Sequence, residues 1–211
     1  GAGANLTELI VDNWAQDEVD DFFIKAGWEA GMKDGIHYAL PLFHGQVVLM
    51  YRTDLLEKAG IDPDSIRTWD DLLEAAKELT QDVDGDGRID IWGLGMPLKP
   101  EKTEMNPMTR SMIELSTEPI ISGDCAPIYA TDAGVRSMRM NARFIQENVT
   151  PRESFVYNTD DIVEQFAGGR YAITVASGLR FPRTQRAATF GGENMGILQW
   201  PTHDAADYPG P

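Results

Sequence analysis

Cysteine, histidine and catalytic signatures are scarce in this sequence. It contains one cysteine and three histidines. A single cysteine, Cys125, excludes an internal disulfide and any zinc site built from several cysteines. The sequence also has no Gly-x-Ser-x-Gly nucleophile turn, no Walker phosphate loop and no His-Glu-x-x-His pair. These absences give little support to an enzymatic function.

Long apolar runs and basic residues are scarce too. No stretch is apolar over the roughly 20 residues that a membrane-spanning helix needs. The sequence does not start with the basic and then apolar pattern of a signal peptide. Lys and Arg number 18 against 34 Asp and Glu, and the net charge of −16 argues against nucleic-acid binding, because phosphate contacts need clustered basic side chains. The 211 residues are enough for one sizeable hydrophobic core or two small ones.

Two helices separated by a turn are predicted between residues 53 and 80. Gly60 stands where the first helix needs a left-handed residue at its end, and Pro63 prevents continuation. Thr68 is the N-cap candidate of the second helix, and Trp69 is expected to pack into the core at its start. A buried stripe at helical spacing follows, formed by Leu72, Ala75, Ala76 and Leu79.

Strands alternate with helices along the rest of the chain. Residues 47–51 form the strongest strand pattern, an apolar run typical of a strand buried on both faces. Shorter strands are predicted at residues 91–96, 171–176 and 196–201. A helix is predicted over residues 132–148, with Val135, Met138, Phe144 and Ile145 directed inward. This alternation predicts an α/β fold.

The loop at residues 82–90 resembles the first nine positions of a calcium-binding loop. Gly87 occupies the sixth position, where a sharp turn is needed, but the twelfth position, which should supply a bidentate carboxylate, is Gly93. Two interpretations remain open, a weak Ca²⁺ site or an Asp/Gly-rich turn. The candidate metal ligands are Asp82, Asp84, Asp86, Arg88 through its carbonyl, and Asp90.

Four segments together carry a family resemblance. They are YALPLFHGQVVLMYRTDLLEKAGID, TWDDLLEAAKELT, DGDGRIDIWG and FAGGRYAITV, in this order. They resemble the extracellular solute-binding proteins of bacterial ABC importers, in the large carbohydrate-binding group that includes maltose-binding protein. The resemblance runs from about residue 5 to residue 200.

The resemblance implies the fold and the organisation of the chain. The expected fold is α/β, a lobe like that of type II periplasmic binding proteins, with a mixed sheet flanked by helices. Residues 1–35 correspond to the helical end of the first lobe, residues 36–201 to the second lobe, and residues 202–211 to a loop at a truncated return crossing. The resemblance further implies a fragment that lacks the start of the first lobe, the C-terminal part and the signal segment. We therefore expect a periplasmic or extracellular, membrane-anchored location.

The function implied is that of the substrate-binding component of an ABC importer. A sugar, oligosaccharide or sugar acid would be captured between two lobes that close by hinge motion. The closed form would be recognised by the ABC permease in the inner membrane. No catalysis and no required cofactor are expected. Two alternatives are a calcium-stabilised cell-surface interaction domain without a transport role, and an enzyme that acts on polysaccharides.

The resemblance also suggests which residues contact the ligand. Many members carry a tryptophan that stacks on a sugar ring just after the late strand, where this chain has Leu179. Arg180, together with Arg183 and Arg186, would recognise a carboxylate or phosphate on the ligand, the alternative being that these arginines only solvate a loop. The candidate ligand-binding residues are His44, Gly45, Tyr51, Ser177, Gly178, Arg180 and Phe181.

Overall fold

The computed structural model describes residues 4–8, 11–23, 25–42, 46–99, 111, 113, 115, 121, 127 and 129–204. The chain separates into two compact units, Gly1–Gly45 and Gln46–Pro211. The lobe boundary expected after residue 35 stays a prediction. Within the described ranges, no helix combines the length and the apolar character needed to cross a membrane.

The first unit contains two short helices and a small hairpin. Its elements are a 3₁₀ turn at Val11–Asn13, α1 at Gln16–Phe22, α2 at Lys25–Ala30, β1 at Met32–Lys33 and β2 at Ile36–His37. The hairpin turns at Asp34 and Gly35, both of which have left-handed backbone angles, φ 52° and 77°. Such angles at both turn residues match the twist of the two strands, which explains the Asp-Gly pair.

Aromatic contacts hold this first unit together. The ring of Phe23 stacks on Trp14 at 5.4 Å and on Trp28 at 4.9 Å, measured between centroids. Trp28 in turn lies 4.3 Å from the buried ring of His37. The backbone N–H of His37 donates to the Thr7 hydroxyl at 2.9 Å. His37 therefore has a structural role in this unit.

The second unit is built on a four-stranded mixed sheet. Its elements are β3 Val47–Arg52, α3 Thr53–Ala59, α4 Trp69–Leu79, β4 Trp92–Gly95, α5 Asp132–Gln146, α6 Thr159–Ala167, β5 Tyr171–Ser177, α7 Phe181–Ala187 and β6 Met195–Leu198. The strand order is β4-β5-β3-β6. β4 and β5 are parallel, whereas β3 is antiparallel to both β5 and β6. The predicted strands and the predicted α/β class are confirmed.

The register of the sheet determines which strand ends, and therefore which connecting loops, lie side by side. Ser177 pairs with Val47, and Leu198 pairs with Leu49. Gly95, at the end of β4, pairs with Thr174. The carboxyl ends of β4, β5 and β6 and the amino end of β3 therefore lie along one side of the sheet. We call this side the carboxyl edge.

Helices cover both faces of the sheet. Successive residues of β3 alternate between two buried clusters, with Val47 and Leu49 in one and Val48 and Met50 in the other. α4 and α5 pack into the first cluster and α6 into the second. The predicted stripe of α4 is buried as expected, and so is Trp69. These helices supply the apolar surface that a sheet buried on both faces requires.

The start of α4 is held by a capping box. The backbone N–H of Asp71 donates to the Thr68 hydroxyl at 3.1 Å, and the N–H of Thr68 donates to the Asp71 carboxylate at 2.8 Å. Two of the helix's otherwise unpaired donors are thereby satisfied. The predicted N-cap is confirmed.

The buried face of α5 differs from the predicted one. Phe144 is buried as predicted, but Val135 and Met138 are exposed. The buried positions include Ser137 and Asn141 instead. The Asn141 amide donates to the Ser137 carbonyl at 2.8 Å and to the Ser111 hydroxyl at 3.4 Å. A polar pairing across the helix face thus replaces part of the apolar stripe that we expected.

Candidate functional site

Backbone hydrogen bonds join the loops along the carboxyl edge. The N–H of Gly178 donates to the carbonyl of Gln46 at 2.9 Å, which ties the end of β5 to the start of β3. On the far side of β5, the N–H of Leu98 donates to the Ser154 carbonyl at 3.1 Å. Ligands of open α/β sheets bind beyond the carboxyl ends of the strands. This edge is therefore the candidate binding surface of the second unit.

The segment after β5 presents mixed chemistry at this edge. Ser177 and Gly178 are half-buried, whereas Leu179 is 62% exposed. The Arg180 guanidinium forms an ion pair with the Asp160 carboxylate at the start of α6. Phe181 is partly buried and packs against the cluster around Val48. Leu179 is therefore the exposed apolar side chain of this segment, while Arg180 is already paired.

Two exposed apolar residues that the sequence analysis missed belong to a turn joined to this edge. Phe155 and Val156 lie in the 3₁₀ turn Arg152–Val156. Both side chains are more than half exposed. Their signal in the sequence is weak, because a pair of apolar residues outside a periodic pattern does not distinguish core from surface.

Tyr51 lies at the opposite end of β3 from Ser177. Tyr51 pairs with Ile173 and Gly196, whereas Ser177 pairs with Val47. Val47 and Tyr51 are four positions apart on β3, which corresponds to about 13 Å along the strand. Burial raises the pKa of the Tyr51 phenol, and the carboxylates of Asp64 and Asp62 raise it further. Its ring lies so close to Gly196 that a Cβ there would come within 2.3 Å. The structure thus does not bring Tyr51 together with Ser177, while His44 and Gly45 lie outside the described residues.

The acidic loop at residues 82–90 gathers three carboxylates. One oxygen each from Asp82, Asp84 and Asp86 lies within 4.8 Å of the others, and all three side chains are exposed. This spacing brings the first, third and fifth positions of the predicted calcium loop together.

The same carboxylates shape the backbone of the loop. Asp82 accepts the N–H groups of Gly85 and Gly87, each at 2.8 Å. Both glycines have left-handed angles, φ 77° and 87°. The Asp90 carboxylate accepts the Val83 N–H at 2.7 Å and closes the loop. The turn geometry is thus maintained by hydrogen bonds within the loop itself.

The twelfth position of the loop has no room for a carboxylate. A Cβ at Gly93 would lie 1.9 Å from the carbonyl oxygen of Ala76 in α4. The Thr80 hydroxyl, at the end of the same helix, accepts the Gly93 N–H at 3.0 Å. The close approach of α4 to β4 therefore excludes a bidentate ligand at this position. The loop lies at the amino end of β4, on the side of the sheet opposite the carboxyl edge.

Sequence comparisons connect the chain to sugar-binding proteins. The model of the bacterial extracellular solute-binding protein family matches residues 4–107. The arabinooligosaccharide-binding protein of Halalkalibacterium halodurans is 35% identical over 76 residues, which are 36% of this chain and 17% of that protein. The protein of the same name from Bacillus subtilis is 36% identical over 76 residues, covering 36% of this chain and 16% of the relative.

Structural comparisons extend the similarity over nearly the whole chain. A solute-binding protein of an ABC transporter from Thermotoga lettingae, bound with α-D-tagatose, superposes with a TM-score of 0.76 at 22% identity, over 97% of this chain and 50% of that one. One from Agrobacterium radiobacter, in complex with ribitol, gives a TM-score of 0.73 at 20% identity, over 100% of this chain and 50% of that one. The chain thus spans about half the length of these solved proteins.

These comparisons confirm three predictions. The fold is that of the periplasmic sugar-binding proteins. The relatives bind solutes and are not enzymes, as the missing catalytic signatures indicated. The resemblance stated from the sequence is shown. Residues 4–107 of the chain match the family of bacterial extracellular solute-binding proteins.

Proposed function

We propose that this chain is part of the substrate-binding component of an ABC importer, which captures a sugar or sugar-derived solute between two lobes that close by hinge motion. The observation that carries this proposal is the carboxyl edge, where the segment from Ser177 to Phe181 follows β5 and is tied to the start of β3. Capture shifts the protein toward its closed form because the solute has a higher affinity for that form.

The chemistry of the edge favours an uncharged ligand over a sugar acid. Arg180 is neutralised by its ion pair with Asp160. Leu179 offers exposed apolar surface for the C–H face of a sugar, and Ser177 contributes a hydroxyl beside it. Such a surface suits a ligand with hydroxyl groups and no charge. The names of the curated relatives, which bind arabinooligosaccharides, support the same class of ligand.

The importer role implies a partner and a location. The closed form would be recognised by an ABC permease in the inner membrane. The protein would act in the periplasm or outside the cell, anchored to the membrane. The match of residues 4–107 to an extracellular solute-binding family supports both statements.

The test is thermal unfolding of the intact parent protein with a panel of solutes. The panel contains arabino-oligosaccharides, maltose, tagatose, ribitol and glucuronic acid. A ligand at one hundred times its Kd should stabilise the protein by roughly 2.7 kcal/mol. We expect stabilisation by a neutral sugar or polyol and none by glucuronic acid. Stabilisation by glucuronic acid alone would contradict the proposed ligand class, and the absence of any shift would contradict the receptor function.

A pair of matched variants locates the site. Leu179→Ala removes apolar contact area and should weaken binding of the neutral ligand by roughly 5- to 30-fold, corresponding to about 1–2 kcal/mol. Val83→Ala is the control, because Val83 is 64% exposed and lies in the acidic loop on the opposite side of the sheet. Equal affinities of the two variants would place the ligand elsewhere.

We also propose that the acidic loop binds Ca²⁺ weakly. The mutual approach of the Asp82, Asp84 and Asp86 oxygens supports this proposal. Asp90 and the Arg88 carbonyl would complete the protein ligands, and water would supply the rest of the six to eight oxygens that calcium takes. Without a twelfth-position carboxylate, we expect a Kd on the order of millimolar.

Calorimetric titration of Ca²⁺ against Mg²⁺ tests the loop. Asp84→Asn should abolish calcium binding, whereas Glu78→Gln, at an exposed acid on α4, should leave it unchanged. Equal heats from both variants would identify the signal as non-specific attraction to an acidic protein.

A further inference from the structure

A pocket in the second unit is lined by several basic side chains, although the chain as a whole is acidic. It has a volume of about 210 Å³ and lies between the start of α4 and the middle of α5. Three arginines, Arg136, Arg139 and Arg143, line it from α5. Asp70, Trp69, Met140 and His203 complete the wall, and we call this group the arginine pocket. The chain as a whole carries a net charge of −16, so this cluster of cations stands out.

The sequence of α5 places the three arginines together. They are separated by three and four positions, a spacing that puts them on one face of a helix. Like charges at this spacing destabilise a helix. Asp70 forms an ion pair with Arg143. In the part of the chain that the structure describes, neither Arg136 nor Arg139 pairs with a carboxylate.

The remaining walls reduce contact with water. Trp69 is buried, and its ring packs edge-on against Trp200 at 4.9 Å. Burial lowers the pKa of His203, the charge of Arg136 lowers it further, and Asp70 opposes both. At neutral pH His203 is therefore uncharged. The guanidinium groups of Arg136 and Arg139, which pair with no carboxylate among the described residues, lie beside this partly desolvated wall and provide strong, directed hydrogen-bond donors.

We propose that the arginine pocket binds a small oxyanion, a phosphate or carboxylate group, through Arg136 and Arg139. The volume of about 210 Å³ suits an inorganic oxyanion or a small polycarboxylate. The guanidinium fork matches both kinds of anion in a bidentate manner. This site is independent of the sugar-binding surface proposed above, which involves none of these residues.

The experiment titrates inorganic phosphate and citrate separately into the intact parent protein by calorimetry, with sodium chloride at matched ionic strength as the reference. We expect at least one of the two anions to bind with a Kd at least tenfold lower than chloride. The anion with the lower Kd identifies whether the site prefers a phosphate or a carboxylate. Failure of both anions to bind more tightly than chloride would overturn the proposal.

A matched pair of double variants assigns the site. Arg136→Gln combined with Arg139→Gln should raise the Kd at least tenfold. Lys58→Gln combined with Arg152→Gln removes two exposed basic residues that do not line the pocket and should leave the Kd unchanged. Equal loss in both double variants, or loss in the Lys58 and Arg152 variant alone, would refute the assignment. Stabilisation by a neutral sugar, measured on the same variants, should persist, so a failure of either proposal is distinguishable from a failure of the other.

Discussion

Gly93 marks the closest approach between α4 and the sheet, and Gly93→Ala is the sharpest test of the packing described above. An added Cβ would lie 1.9 Å from the Ala76 carbonyl oxygen and 2.6 Å from its carbon. Both obstacles are backbone atoms within a helix, so no side-chain rotation relieves the clash. The helix would have to move away from β4 by about 1.5 Å to restore an ordinary contact distance.

The size of the effect follows from what that movement disturbs. Overpacking in a well-packed core costs typically about 1–3 kcal/mol, occasionally more. α4 carries six buried residues into the core, all of which shift with its backbone. We therefore expect a loss of about 3 kcal/mol in the free energy of unfolding, which corresponds to a decrease of about 6–12 °C in Tm for a domain of this size.

Urea unfolding followed by circular dichroism measures this loss. Gly178→Ala is the control, because a Cβ there would meet its nearest heavy atom at 3.8 Å, an ordinary contact. The control should remain within about 0.5 kcal/mol of the native sequence. A Gly93→Ala protein that unfolds within about 1 kcal/mol of the native sequence would refute the close packing of α4 on β4.

Three further tests concern the helix cap of α4, the buried face of α5 and the pH dependence of stability. Thr68→Ala removes the hydroxyl that accepts the Asp71 N–H and should lower the free energy of unfolding in urea by about 1 kcal/mol. Phe144→Ala should lower the free energy of unfolding by about 3–5 kcal/mol in the same assay. Val135 is exposed on the same helix, so Val135→Ala should lower it by less than about 0.5 kcal/mol. Similar losses in the two variants would contradict the orientation of α5. Burial holds the pKa of His203 below 6.5, so the unfolded chain binds the proton first as the pH falls and stability is lost below that value. His203→Asn should make Tm decline less steeply from pH 7 downward, and an unchanged slope would contradict this role.

Local patterns in the sequence predict much of the fold. The apolar run at residues 47–51 and the stripe of α4 are found as expected, because each pattern is contained within one element. The exposed side of α5 is not predictable in this way. Asn141 faces inward because it reaches Ser111, thirty positions earlier in the chain. A partner at that distance leaves no periodic signal.

The candidate site, too, is predictable from the sequence only where it depends on a local pattern. The family resemblance indicates the segment after β5, and the structure places that segment at the carboxyl edge. The register of β3 against β5 puts Tyr51 at the other end of the strand, a relation that no local pattern encodes. Likewise, the spacing of the three arginines is visible in the sequence, but their approach to Trp69 and His203 depends on tertiary packing.

The strand order has a consequence for how the molecule forms during synthesis. β3 and β4 are made early, yet β5 lies between them in the sheet, and the other neighbour of β3 is β6. A nascent chain that ends before residue 171 therefore contains β3 and β4 but none of the strands with which they pair in the finished sheet. Val47 of β3 must wait for Ser177, 130 positions later, and Trp92 of β4 for Tyr171, 79 positions later. Such non-local contacts slow folding. We expect the sheet to assemble late, after β5 has left the ribosome.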